Sequence, residues 1–111
     1  MIILKELKDI LNKLIKFRDE RNWKQFHTPE NLAKSISIEA NELLENYQWG
    51  SQNADINNIK EELADIFGYL LLLCKELNID LISVTNNKIE ENSKKYPADK
   101  SYGKSDKYNK L

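Results

Sequence analysis

The sequence predicts an all-α fold, a small four-helix bundle, and three features of the 111-residue chain carry that expectation. Apolar residues recur at three- and four-residue steps along most of its length. No stretch alternates apolar and polar residues long enough to make a strand. Only three Gly and two Pro interrupt the chain, which leaves long segments free to stay helical. Hydrophobic residues make up 41% of the chain, enough for the core of one domain.

The first helix spans about Ile2 to Glu20 and carries Leu4, Leu7, Ile10, Leu11, Leu14 and Phe17 at helical spacing. Arg21 to Thr28 loses that period, holds Trp23, Phe26 and His27, and reads as a loop. The second helix has a defined start, with Thr28 as N-cap and Pro29 at the first helical position, where its missing N–H costs nothing. Glu30 adds an acid to the first turn, which suits the helix dipole. Its stripe is Leu32, Ile36, Ala40, Leu43 and Tyr47, and its end is expected near Trp49-Gly50, with Gly50 as a left-handed cap.

Ser51 to Asn53 is a short polar connection. The third helix runs from about Asp55 to Leu77. Its first half is amphipathic through Ile56, Ile59, Leu63 and Ile66, while its second half, IFGYLLLLC, is apolar nearly all round. Such a helix is buried on several sides, so it is a central helix, an assembly face, or both. Asp80 can cap a fourth helix carrying Leu81, Ile82, Val84 and Ile89 to about Lys95, and Pro97 stops it. Residues 1–97 are thus expected to form the helical domain. Residues 98–111, rich in Lys and Tyr, are expected to be a mobile tail unless a partner orders them.

The charges narrow the functional classes. Seventeen Lys and Arg against 18 Asp and Glu give a net charge of −1. That argues against binding a nucleic-acid polymer by bulk phosphate neutralisation, and against a polybasic membrane surface. The longest nearly apolar run, Ile66 to Cys74, is far short of the roughly 20 residues a membrane span needs. The N-terminal MIILKELKDI turns charged after four residues, unlike a signal peptide. One cysteine, Cys74, excludes an internal disulfide and a Cys-rich zinc site, and fits a reduced, cytoplasmic setting. In its apolar run Cys74 reads as a small core hydrophobe.

Four acids stand out by direction. With Leu32 at 0°, the apolar stripe of the second helix spans about 0° to 80°, while Glu39 falls at about 340° and Glu42 at about 280°. Glu30 and Glu45 fall at about 160° and 220°, as solvated acids should. With Ile59 at 0°, Glu62 lies at about 300° and Asp65 at about 240°, heading a second stripe through Tyr69, Leu72 and Leu73. Glu61, near 200°, faces water.

The pairs read ExxE (Glu39, Glu42) and ExxD (Glu62, Asp65), separated by a helix end, a loop and a helix start. Exposed pairs bridged to Lys would be the ordinary explanation for either pair alone. Two pairs turned off the polar face of consecutive helices point to convergence. Converging carboxylates repel, and burying an unpartnered ionised acid is very costly, so they need protons or a hard divalent cation. Mg²⁺ suits oxygen-only ligands, and the lack of His among them disfavours zinc and Glu-x-x-His di-iron sites.

These motifs resemble the all-α nucleoside triphosphate pyrophosphohydrolases of the MazG-like type, and look closest to their dCTP pyrophosphatase branch. The resemblance runs from about Phe17 to Tyr108. It rests on RDERNWKQFHTPENLAKSISIEANELLENYQW (Arg18 to Trp49), EELADIFGYLLLLCKELNIDL (Glu61 to Leu81), NKIEENSKKYP (Asn87 to Pro97) and the Gly103, Lys107, Tyr108 tail. The ExxE…ExxD element is moderately specific alone and strong beside the WxQFH segment, the QW pair and the KYP ending.

The resemblance implies that Glu39, Glu42, Glu62 and Asp65 hold Mg²⁺, for which Mn²⁺ can substitute. It implies cleavage of a nucleoside triphosphate, with dCTP or a modified dCTP first, to the monophosphate and pyrophosphate. Glu39 or Glu42 would also act on the attacking water. It implies that Trp23, His27, Trp49 and Tyr69 surround the base and sugar, and that Lys88, Asn92 and Lys95 meet the phosphates with help from Tyr96 and Lys107. It implies a homodimer or homotetramer. Relatives can carry His where this chain has Leu14, a departure that bears on base specificity and not on the metal site.

The residues themselves support these roles unequally. Lys88, Asn92 and Lys95 fall at i, i+4 and i+7, a row that can meet a polyphosphate but is also what a solvated face looks like. Trp23 and Trp49 can stack on a base or close the end of the bundle. His27 can equally serve the Thr28 cap, and Tyr69 fits a core position. Two other readings remain open: a related substrate such as dUTP, another nucleoside triphosphate or a phosphoribosyl-ATP, and a non-catalytic helical interaction module.

Overall fold

The computed structural model describes residues 2–111, with side chains from Leu4 onward; Met1 of the expected 1–97 domain lies outside the described residues. No strand occurs among them. Four long helices follow in order: α1 Ile2–Glu20, α2 Pro29–Glu45, α3 Ile56–Leu77 and α4 Leu81–Lys95. A short α5, Ala98–Ser101, comes after them, and single 3₁₀ turns lie at Lys24–Phe26, Ser51–Asn53 and Tyr108–Lys110.

The helix starts follow local chemistry. Thr28 is extended, at φ −70° and ψ 155°, and its hydroxyl accepts from Asn31 N at 3.2 Å, with Pro29 opening α2. Asp55 accepts from Asn57 N at 3.0 Å and Asp80 from Ser83 N at 3.2 Å, which satisfies donors that each first turn leaves open. Asn78 closes α3 in the left-handed region at φ 58°.

The end of α2 departs from expectation. The helix stops at Glu45, and residues 46–49 form turns rather than continuing to Gly50. Asn46 supplies the reason. Its side-chain amide donates back to the Glu42 carbonyl at 3.2 Å and across to Asn58 Oδ1 at 3.0 Å. The backbone then tightens to i→i+3 bonds from Asn46, Tyr47 and Gln48. A side chain that serves these carbonyls competes with helix continuation. Gly50 does hold a positive φ, 100°, but as the residue before the Ser51–Asn53 turn.

The chain forms two compact units, Met1–Asn78 and Ile79–Leu111. In the first, α3 packs most extensively on α2 and also on α1. Among the described residues the buried apolar side chains are Leu32 on α2 and Ile59 and Leu72 on α3, and Leu32 is fully buried. Gly68 lies against Leu14, whose Cδ2 is 3.5 Å from where a Cβ would sit, so α1 and α3 approach closely there. Part of the expected apolar stripe is not covered: Ile56, Leu63 and Phe67 are exposed, and Cys74 is only half-buried.

In the second unit the tail after Pro97 is not structureless. It takes up α5 and a final 3₁₀ turn, and Tyr108 meets Tyr96 edge-on at 6.1 Å and lies under Lys95 Nζ at 5.2 Å. Aromatic and cation–π contacts supply the partner that the polar composition hid.

Candidate functional site

Glu39 lies one turn before Glu42 on α2, and Glu62 faces them from α3. One carboxylate oxygen from each of the three lies within 4.8 Å of the others. Glu62 is buried, Glu39 half-buried and Glu42 exposed, so the trio closes from the helix interface outward. Glu30 and Glu45 are exposed, as their angles predict, and Glu30 pairs with Lys34 at 3.2 Å.

The carboxylates strain each other electrostatically. Glu39 is pushed up to about 7, first by a hydrogen bond shared with Glu62, then by burial, then by the hydrogen bond and charge of Glu42 and the charge of Asp65. Glu39 Oε2 and Glu62 Oε2 are buried without a hydrogen-bond partner. Two orphaned carboxylate oxygens beside a third carboxylate fit a hard divalent cation, which would satisfy them and remove the repulsion.

Asp65, the fourth acid of the expected set, stands outside this trio. It is exposed and lines a neighbouring cleft of about 180 Å³ with Trp23, His27 and Tyr69. The cleft therefore begins one helical turn from Glu62 on the same helix. Its walls are fixed by aromatic contacts. Trp23 meets Phe17 edge-on at 5.7 Å, and the Arg21 guanidinium lies 3.7 Å over Phe17. His27 and Tyr69 are also edge-on, at 6.5 Å. The His27 imidazole is held below its usual range, first by burial and then by the charge of Arg18, against the opposing charge of Glu76. Burial first, then the Glu39 and Asp65 charges, push the Tyr69 phenol up.

The remaining expected residues are placed unequally. Trp49 does not reach this cleft; it is 76% exposed on the turn after α2, where its carbonyl accepts from Asn53 Nδ2 at 2.8 Å. In the second unit Lys88 and Lys95 both lie 3.8 Å from Glu91, so the acid between them holds the row together. Asn92 offers its carbonyl to Tyr96 N at 2.8 Å, and Lys107 precedes the final turn with its carbonyl bound by Lys110 N.

One cleft residue was not anticipated. Arg18 is 5% exposed and lines the cleft on α1. A signal for it exists: with Leu4 at 0°, Arg18 falls at about 320°, between Leu7 and Leu11 on the apolar stripe. A second opening, lined by Glu42, Glu45, Asn46, Asp55, Asn58 and Glu62, reaches two of the three carboxylates, Glu42 and Glu62.

Comparison with known proteins supports this site's setting. The chain is 34% identical to dCTP pyrophosphatase 1 of Rattus norvegicus over 114 aligned positions, covering 95% of this chain and 67% of that protein. Against dCTP pyrophosphatase 1 of Homo sapiens the identity is 33% with the same coverage. Among solved structures, a pyrophosphatase from Archaeoglobus fulgidus DSM 4304 superposes with a TM-score of 0.79 at 41% identity, over 83% of this chain and 93% of that one. The sequence pattern of the MazG-like family matches residues 34–111, the stretch that holds all four acids and the lysine row. The chain belongs to the MazG-like family.

Proposed function

We propose that the protein is a Mg²⁺-dependent nucleoside triphosphate pyrophosphohydrolase, with dCTP or a modified dCTP as substrate, releasing the monophosphate and pyrophosphate. The observation that carries this is the convergence of Glu39, Glu42 and Glu62 within 4.8 Å beside a cleft walled by Trp23, His27 and Tyr69. The names of the relatives support the substrate.

Glu39, Glu42 and Glu62 hold the cation, and Asp65 completes the set from the cleft side. The cation, Mg²⁺ with Mn²⁺ as a substitute, supplies charge neutralisation for phosphate oxygens and the leaving pyrophosphate. Glu39 or Glu42 orients the attacking water and takes its proton. Trp23, His27 and Tyr69 enclose the base. Lys88, Asn92 and Lys95 bind the phosphates once these displace Glu91, with Tyr96 and Lys107 beside them. In this reading residues 1–97 form the catalytic domain, and bound phosphates hold the 98–111 tail over them.

The same reading includes a homodimer or homotetramer. Ile56, Leu63 and Phe67 form an exposed apolar sector on α3 that a second copy would cover, and Trp49 is free to complete a neighbouring site. It also includes a cytoplasmic setting. The single cysteine suits it, and no helix among the described residues is long and apolar enough to cross a membrane.

A panel of deoxynucleoside triphosphates incubated with the protein and Mg²⁺ tests the proposal. Pyrophosphate release, fastest with dCTP and abolished by EDTA, is expected. Orthophosphate release, or turnover indifferent to metal, would contradict it, and a faster rate with dUTP would move the substrate.

A further inference from the structure

Arg18 is a buried cation that the proposed chemistry does not use. Its side chain is 6% exposed, and a buried guanidinium survives only when its charge is answered. Nε donates to Asp19 Oδ1 at 2.9 Å, and Nη1 donates to Glu76 Oε1 on α3 at 3.3 Å. Its carbonyl accepts from Trp23 N at 3.0 Å, so the same residue also sets the loop that carries Trp23.

Three features make this group a reader of the cleft rather than a strut alone. First, Arg18 lines the cleft with His27 and Tyr69, and the guanidinium has donors left over after these two bonds. Second, Arg18, Asp19 and Glu76 together carry a net negative charge, so the ensemble repels a phosphate and suits a neutral acceptor. Third, His27 Nδ1 in the same cleft is buried with no partner, which marks the cavity as built for a polar ligand. A volume of about 180 Å³ between aromatic walls suits one heterocycle and not a hydrated triphosphate.

We propose that Arg18, fixed by Glu76, is a specificity-determining residue that donates to the two adjacent acceptors of a cytosine ring, the carbonyl oxygen O2 and N3. This rests on the nucleotide-hydrolase reading above. A planar fork of N–H donors matches two neighbouring acceptors. Uracil presents an N3–H donor at that edge, which faces the guanidinium unfavourably.

Calorimetric titration of the full chain with dCMP and with dUMP tests this. Wild type is expected to prefer dCMP. Arg18→Lys is expected to weaken dCMP about tenfold, in line with loss of a hydrogen bond to a charged group, and dUMP less than threefold. Glu76→Gln, which keeps the shape and frees the fork, should narrow the preference in the same direction and decides the matter if Arg18→Lys fails to fold by circular dichroism. Equal weakening of both nucleotides would make Arg18 purely structural and overturn the inference. So would an unchanged dCMP to dUMP ratio. Pyrophosphate release by wild type is scored separately: present with an unchanged ratio, it leaves the function standing and removes only Arg18's role. If neither nucleotide binds, Arg18's role falls, and pyrophosphate release alone decides the function.

Discussion

Glu39 on α2 and Glu62 on α3 bring carboxylate oxygens within 4.8 Å of each other across the helix pair, and each keeps a buried Oε2 with no partner. That proximity, with burial, favours a proton on Glu39, and a cation would take its place.

Removal of metal should make stability depend on pH. The folded-state pKa of Glu39 is raised from 4.5 to about 7, so its proton stabilises the metal-free fold below about 4.5. That contribution is lost as pH rises through about 7. Melting curves in EDTA should therefore fall between pH 5 and pH 8 relative to an otherwise identical Glu39→Gln chain. At pH 8 the variant, which imitates the protonated form, should melt higher by about 4 °C. Equal melting temperatures at pH 8 would show that Glu39 carries no such strain.

Ligand should reverse the loss. Mg²⁺ at pH 8 should raise the wild-type melting temperature, because it binds the folded state and not the unfolded chain. Glu39→Gln should show little of this gain. A wild-type curve indifferent to Mg²⁺ would remove the trio as a metal site.

The acids should be needed for turnover and not for folding. Glu39→Gln and Asp65→Asn are each expected to lower kcat at least about 100-fold while leaving the helical circular dichroism intact. Asp65 is the sharper test, because it stands outside the trio. Full activity in Asp65→Asn would assign the metal to Glu39, Glu42 and Glu62 alone.

The lysine row should act on KM. Lys88→Ala and Lys95→Ala are expected to raise KM by about tenfold, with kcat less affected. Glu91 lies 3.8 Å from both amines and competes with phosphate for them, so Glu91→Gln should lower KM. Steady-state kinetics at two salt concentrations checks the set, and a Glu91→Gln KM above wild type would contradict the competition.

Assembly is open to light scattering. Leu63 is 51% exposed and Phe67 41%, too much apolar surface in one sector for a helix expected at the centre. A dimer or tetramer is expected at micromolar concentration, and Phe67→Lys should shift it toward monomer. A 13 kDa wild-type species would refute it.

The sequence carried the fold where local chemistry decides structure. Thr28-Pro29, Asp55 and Asp80 each begin a helix because cap and first turn are neighbours in the chain. Glu39 and Glu62 were legible because helical angle alone turns them toward a neighbour. What stayed hidden depends on partners distant in sequence. Asn46 ends α2 through Asn58, and the tail folds because Tyr108 finds Lys95 and Tyr96. Asp65 shared the angle of an inward residue, yet it lines the cleft and not the trio. Arg18 was visible on the α1 stripe, but its significance lies in Glu76, 58 residues away.

The central claim is that this carboxylate site cleaves a triphosphate between the α- and β-phosphates. Following dCTP with the protein and Mg²⁺ by phosphorus NMR tests it most directly. The account predicts dCMP and pyrophosphate in equal amounts, with neither formed by Glu39→Gln. Appearance of dCDP and orthophosphate, or an unchanged dCTP spectrum, would contradict it.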